Sequence, residues 1–221
     1  MMYKLAIFDL DGTVLDSIGD LHSSVNEALS QNGMPPRTFD EVLSFLGNGM
    51  KLLIDRAVPK GTDETLAEKV LADFKAHYAL HSTDTTAPYL GVPEMLSALR
   101  VAGVKTAILS NKAHAATVAL CKSYFDGCFD LVVGERESEG IAKKPAPDAV
   151  LAIMSELGVT AAETVYIGDS EVDVMTAKNA GVDSIAVTWG FRTPDTLRAA
   201  GANVLCDTPA AVVARIVGST K

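Results

Sequence analysis

Lys4-Leu5-Ala6-Ile7-Phe8-Asp9-Leu10-Asp11-Gly12-Thr13-Val14-Leu15-Asp16 decides how this chain folds. Its apolar run, Leu5 to Phe8, breaks directly into Asp9-Leu10-Asp11-Gly12-Thr13. An apolar run of this length, bounded by a turn signal, reads as a buried strand of a parallel sheet. Asp9 and Asp11 then stand two residues apart at the strand's carboxyl end, where open α/β sheets place their ligands. Two carboxylates crowded there repel each other unless a cation sits between them, and a hard divalent ion such as Mg²⁺ suits oxygen ligands. Gly12 permits the tight turn that follows. A solvated acidic strand end is the plain alternative, and one Asp-x-Asp does not choose between the two. An EF-hand loop is excluded, because its glycine belongs at loop position six.

Outward from this strand, the chain first turns helical. Asp16 or Ser17 caps a helix through about Gln31, with Leu21, Val25, Ala28 and Leu29 at helical spacing. A second helix runs from Asp40 to Phe45, is interrupted by Gly47-Asn48-Gly49, and resumes from Met50 to Val58. A third spans about Asp63 to Leu80. With no convincing strand among them, residues 17–82 read as an inserted all-helical domain, and 1–16 with 83–221 as an α/β core. Ser82 to Pro88 reads as a polar linker.

Beyond it the rhythm alternates: helix Val92–Val101, strand Val104–Leu109, helix Ala113–Tyr124, strand Leu131–Val133, helix Pro147–Glu156. Strand Thr164–Ile167, helix Val172–Ala180, strand Ser184–Val187 and a short strand at Asn203–Cys206 follow. Alternating βα units with apolar, β-branched strands imply a doubly wound parallel sheet, a Rossmann-like core.

The 221 residues suit one sizeable domain with an insert. A composition of 48% hydrophobic and 21% charged residues is that of a soluble globular protein. The net charge of −9 argues against nucleic acid or an anionic membrane as partner. Three irregularly spaced cysteines, Cys121, Cys128 and Cys206, form neither a disulfide framework nor a zinc pattern. With no signal peptide or membrane-length apolar run visible, a cytoplasmic protein is expected.

Three strands end in polar residues of distinct kinds: Asp9 and Asp11, Ser110-Asn111, and Asp169 with Asp173. Doubly wound topology brings such ends to one sheet edge. Asp169 and Asp173, spaced i, i+4, face one site if a helix begins near Ser170. Pro145 and Pro147 restrict the Lys143-Lys144-Pro145-Ala146-Pro147 segment and aim a lysine at that edge. Carboxylates, a hydroxyl, an amide and a lysine together suit phosphoryl transfer: the acids hold Mg²⁺, one attacks phosphorus, and the other groups hold its oxygens.

In order, Asp9–Thr13, Ile-Leu-Ser110-Asn111, Lys144-Pro-Ala-Pro and Gly-Asp169-Ser-Glu-Val-Asp173 resemble the motifs of the haloacid dehalogenase superfamily. Within it, the chain is similar to the phosphoglycolate phosphatase-like subgroup. The resemblance implies Asp9 as nucleophile, Asp11 as general acid and then base, and Lys144 as the neutralising cation. Gly12, Thr13, Ser110 and Asn111 would bind the phosphoryl group. Mg²⁺ would be held by Asp9, the Asp11 carbonyl and Asp169, with Asp173 and Ser170 behind them. The helical insert becomes a mobile cap, with Gly47-Asn48-Gly49 and Lys51 facing a small phosphorylated metabolite; Arg56 and Arg192 are further candidates. The implied activity is a phosphatase on 2-phosphoglycolate, as a monomer or weak homodimer.

Several features carry less. Gly47-Asn48-Gly49 lacks the preceding strand of a dinucleotide fingerprint. His77 and His81 have metal-binding spacing without a further ligand nearby. His114 opens a helix just after Ser110 and reads equally well as a surface residue. Pro88-Tyr89-Leu90-Gly91 departs from the subgroup's Pro-Tyr-Pro-Gly. A phosphosugar mutase of this superfamily places a histidine ten residues after the second aspartate, where this chain has Leu21. Pyrophosphatase, 5′-nucleotidase and non-catalytic binding roles are the remaining alternatives.

Overall fold

The computed structural model describes residues 3–218; residues 1–2 and 219–221, the outer ends of the expected core, lie outside the described residues. The chain divides into two compact units, Met1–Leu15 with Pro88–Lys221, and Asp16–Ala87.

The larger unit is built on a six-stranded, wholly parallel sheet. Its strands are β1 (Leu5–Phe8), β4 (Lys105–Ala113), β5 (Leu131–Glu135), β6 (Thr164–Gly168), β7 (Asp183–Val187) and β8 (Leu205–Cys206), in the order β5-β4-β1-β6-β7-β8. The intervening β2 (Leu15–Asp16) and β3 (Ala87–Pro88) pair with each other where the chain passes between the units. The chain leaves β1 toward β4 and β5, then returns to β6 on the other side, so β1 marks the topological switch point.

All four β1 residues are fully buried because both sheet faces are covered. Side chains alternate in direction along a strand. Ala6 and Phe8 pack with Ile108, Val165 and Ile167 on one face, and Leu5 and Ile7 with Ala107, Leu109 and Tyr166 on the other. The first face is roofed by α5 (Val92–Val101), α6 (His114–Phe125) and α10 (Pro209–Val217), the second by α7 (Asp148–Leu157) and α8 (Glu171–Ala180). Sequence patterning had passed over α10 and the short α9 (Pro194–Ala199). Both start at a threonine cap followed by proline: Thr193 accepts from the Thr196 N–H and Thr208 from the Ala211 N–H.

The helical unit holds α1 (Ile18–Gln31), α2 (Phe39–Phe45), α3 (Met50–Ala57) and α4 (Glu64–His81). Its buried residues include Val25, Leu29, Ile54, Val70 and Phe74. The expected linker is not loose. The backbone N–H and hydroxyl of Thr85 and Thr86 donate four hydrogen bonds to the buried Asp20 carboxylate of α1, at 2.6–2.9 Å. Among the described residues no helix is long and apolar enough to cross a membrane.

Candidate active site

The register of the central strands assembles the site. Phe8 aligns with Ile108 on one neighbour and with Ile167 on the other. Asp9–Asp11 and the residues after Gly168 therefore leave the sheet side by side, next to Ser110–Lys112. The strand expected to end at Leu109 continues to Ala113 with a shift of register, so Ser110–Lys112 lie in the irregular end of β4.

Asp9 is buried, with its N–H donating to the Ile167 carbonyl at 2.8 Å. Its Oδ1 accepts from the Leu10 N–H at 2.7 Å and pairs with Lys144 Nζ at 2.8 Å. The same ammonium lies 2.8 Å from Asp173 Oδ1. Asp173 is anchored in turn by the Ser170 N–H and hydroxyl, at 3.1 and 2.6 Å, and by the Tyr166 hydroxyl at 3.3 Å. This works because Ser170 caps α8, so its first turn carries Asp173 back over the strand end. Asn111 has a different task from the one its position suggests. Its side chain accepts from the Lys144 N–H at 2.9 Å and donates to the Lys144 carbonyl at 3.1 Å, fixing the backbone that carries the lysine.

Asp169 accepts from the Thr13 hydroxyl at 3.2 Å and from the Phe191 N–H at 2.6 Å. The Trp189-Gly190-Phe191 loop thus builds the site, a role the sequence analysis did not give it. Trp189 Nε1 also donates to the Thr13 carbonyl at 3.0 Å. Gly190 is required by close approach: a Cβ there would collide with the Gly12 carbonyl and Asp169. Gly12 has φ +85°, and a Cβ on it would strike the Asp169 carboxylate.

Asp9, Asp169 and Asp173 bring ligand oxygens within 4.8 Å of one another, and all three are buried. Burial, then the charge of Asp173, pushes the Asp9 carboxyl up to about 7 despite the pull of Lys144. Burial, followed by Asp173 and Asp9, lifts Asp169 well above the carboxylate range. Burial works against the charge on Lys144, but Asp173 and Asp9 override it and hold its pKa well above that of an ordinary lysine. Three clustered carboxylates, of which Lys144 pairs with Asp9 and Asp173, outnumber that ammonium, and the donor atoms are all oxygen. That donor set fits a hard divalent cation.

A family model described as haloacid dehalogenase-like hydrolase matches residues 6–187. The chain belongs to this family. Its match runs from inside β1 to the end of β7 and takes in Asp9, Asp11, Lys144, Asp169 and Asp173. Among curated relatives, the phosphoglycolate phosphatase of Pseudomonas putida is 37% identical over 195 residues, covering 85% of this chain and 70% of that one. The phosphoglycolate phosphatase of Colwellia psychrerythraea is 36% identical over 196 residues, covering 85% of each. A solved structure of a candidate phosphoglycolate phosphatase from Lactobacillus delbrueckii subsp. bulgaricus is 38% identical. It superposes with a TM-score of 0.93 over 99% of this chain and 100% of that one.

The remaining candidates have local partners. Gly47 and Gly49, at φ +106° and +89°, break the chain between α2 and α3. Asn48 Oδ1 accepts from Arg56 at 3.0 Å, and Lys51 pairs with Asp55 at 3.2 Å on the exposed side of α3. Arg192 pairs with Glu171 at 3.0 Å. His114 Nδ1 accepts from the Gly134 N–H at 3.1 Å, tying α6 to β5. His77 bonds Ser24, His81 bonds Asp84, and the two rings stack at 4.2 Å. Sequence reasoning gave Lys112 no role. It pairs with both oxygens of Asp11 at 2.8 Å, and its only sequence signal is its place directly after Ser110-Asn111.

Proposed function

We propose that this hydrolase is a Mg²⁺-dependent phosphatase that converts 2-phosphoglycolate to glycolate and phosphate. The observation that carries it is the buried Asp9 carboxylate, held 2.8 Å from Lys144 beside an oxygen-only cluster at the sheet's switch point. The substrate is supported by the relatives from P. putida and C. psychrerythraea, both named phosphoglycolate phosphatases.

An Asp9 oxygen attacks phosphorus as the bond from phosphorus to the glycolate oxygen breaks, and the Asp11 carboxyl gives that oxygen its proton. Asp11, now ionised, takes a proton from water; the water oxygen attacks phosphorus, releasing phosphate and restoring Asp9. Lys144 and the Ser110 hydroxyl hold phosphoryl oxygens, while Asp173, Ser170 and Asn111 keep Lys144 in place. Mg²⁺, held by Asp9, Asp169 and the Asp11 carbonyl, would neutralise charge on the phosphoryl group.

We assign a share in the choice of substrate to the helical unit, through Gly47-Asn48-Gly49 and Lys51. An exposed pair such as Lys51–Asp55 is weak, so that lysine is readily taken by an anion. Lys51→Met is expected to raise KM for 2-phosphoglycolate with kcat little changed.

The test is phosphate release from 2-phosphoglycolate, hexose phosphates, nucleotides and pyrophosphate, with Mg²⁺ or with EDTA, and with Asp9→Asn alongside. Preference for 2-phosphoglycolate, lost with EDTA and in Asp9→Asn, is the expected result. Turnover of other esters under the same controls would discard the substrate and keep the chemistry. Activity surviving in Asp9→Asn would overturn the mechanism.

A further inference from the structure

The two acids that end β1 are held by two different lysines. Asp9 has Lys144, which the mechanism uses. Asp11 has Lys112, whose side chain is only 5% exposed and whose ammonium lies 2.8 Å from both Asp11 oxygens. The strand end is shaped for this contact. The pairing of β4 with β5 shifts register between Leu109 and Ala113, and the Lys112 N–H turns back onto the Ser110 hydroxyl at 3.2 Å.

A largely buried ion pair of this geometry resists opening, because separation leaves two charges poorly solvated. Yet to act in the first step Asp11 must leave the ammonium, take up a proton from solvent and turn to the leaving oxygen. A second anion that takes over the ammonium removes the conflict, and 2-phosphoglycolate carries one. When Asp11 acts as the acid it lies one hydrogen bond from the ester oxygen, and the place Lys112 holds before the exchange is one further bond beyond. That place is within about 5–6 Å of the ester oxygen. In 2-phosphoglycolate a single CH₂ separates the ester oxygen from the carboxylate, which places the carboxylate within reach of Lys112.

We propose that Lys112 reads the substrate's carboxylate and, by exchanging Asp11 for it, releases Asp11 toward the leaving oxygen. The inference rests on the phosphatase function above and deepens it: Lys112 is a specificity residue that also positions the acid. It makes the enzyme selective for phosphate esters with an adjacent carboxylate over neutral esters of the same size.

The test compares 2-phosphoglycolate with ethylene glycol monophosphate, which replaces the carboxylate by a neutral CH₂OH. Wild type should prefer the former. In Lys112→Gln the ratio of the two kcat/KM values should collapse by about 10- to 100-fold, the loss of one charge-assisted contact, while Lys112→Arg should restore most of it. Equal losses on both esters in Lys112→Gln would make Lys112 merely structural and overturn the proposal, as would preference residing in Lys51 alone. A second measurement does not depend on Lys112→Gln folding. In Asp11→Asn the ammonium has lost its competing carboxylate. With Mg²⁺ present, calorimetry should show 2-phosphoglycolate binding tighter, relative to the neutral ester, than it does to Asp9→Asn. No such gain would also overturn the proposal. If wild type hydrolyses both esters alike, only this inference falls; if it hydrolyses neither, the phosphatase function falls and takes it along.

Discussion

Asp9 in the α/β unit and Asp20 in the helical unit are both buried carboxylates, 9% and 2% exposed, and their environments push them in opposite directions. Asp20 loses solvation on burial, but the hydroxyls and N–H groups of Thr85 and Thr86 more than offset this and hold its carboxyl below the usual range. Asp9 has a lysine, yet burial and the nearby Asp173 carry it up to about 7. Burial alone therefore does not set the character of an acid. Four dipoles aimed at one carboxylate satisfy it and make it a fastener. Like charges gathered around another leave it unsatisfied and ready for a cation or a phosphoryl group.

The sharpest way to break this contrast is to remove each charge in turn. Asp9→Asn should lower phosphate release by about 10⁴-fold or more, as loss of a nucleophile does, without destabilising the metal-free protein, because a crowded carboxylate is gone. An Asp9→Asn protein that unfolds more readily would show that Asp9 too is a fastener.

Lys144→Met should be the most destabilising single change in the α/β unit. It leaves Asp9 and Asp173 buried without their shared cation, a loss of about 3–5 kcal/mol read from the urea midpoint, and it should also abolish turnover. Asp20→Asn comes next, at about 2–3 kcal/mol, since its NH₂ replaces an oxygen that accepted two of the four hydrogen bonds and faces those donors instead. Its effect on kcat should stay within about threefold. A large fall in kcat with unchanged stability would erase the distinction between the two sites.

The smallest effect is a pH slope. Between the ordinary carboxylate pKa and about 7, folded Asp9 keeps a proton that the unfolded chain has lost. Without a divalent ion, stability should therefore decrease from pH 5 to pH 7.5, by at most about 1.4 kcal/mol per unit from this group. Asp20 works the other way: its contribution is present above the unfolded pKa and is lost as pH falls through its lowered value, so it leaves this window untouched. Thermal unfolding at pH 5 and 7.5 should show the slope in wild type and Asp20→Asn, and a shallower one in Asp9→Asn. Mg²⁺ should stabilise more at pH 7.5 than at pH 5, where it competes with protons. A slope unaltered in Asp9→Asn would assign it elsewhere.

The sheet was legible because parallel strands buried on both faces are written as unbroken apolar runs, such as Leu5 to Phe8 and Val165 to Ile167. Helices α9 and α10 were passed over although Thr193-Pro194 and Thr208-Pro209 are start signals. The Ser82–Pro88 segment looked like a linker because its residues are polar. Its threonines become a clamp only when Asp20, more than sixty positions earlier, is folded against them.

Local chemistry was enough to single out Asp9, Asp11, Asp169 and Asp173 at strand and helix ends, Ser110 in the outer half of β4 and Lys144 in the turn before α7, since turn residues and apolar runs are short-range signals. Pairing is a different matter. That Lys144 serves Asp9 while Lys112 serves Asp11, that Asn111 grips the Lys144 backbone, and that Phe191 donates to Asp169 were decided only by the register of β1 with β4 and β6 and by the loop after β7. Charges 20 to more than 100 residues apart carry no mark of their partners in the sequence. Which of them meet, and whether a buried acid ends as a fastener or a reactive group, depends on desolvation and distance, and those exist only once the sheet has formed.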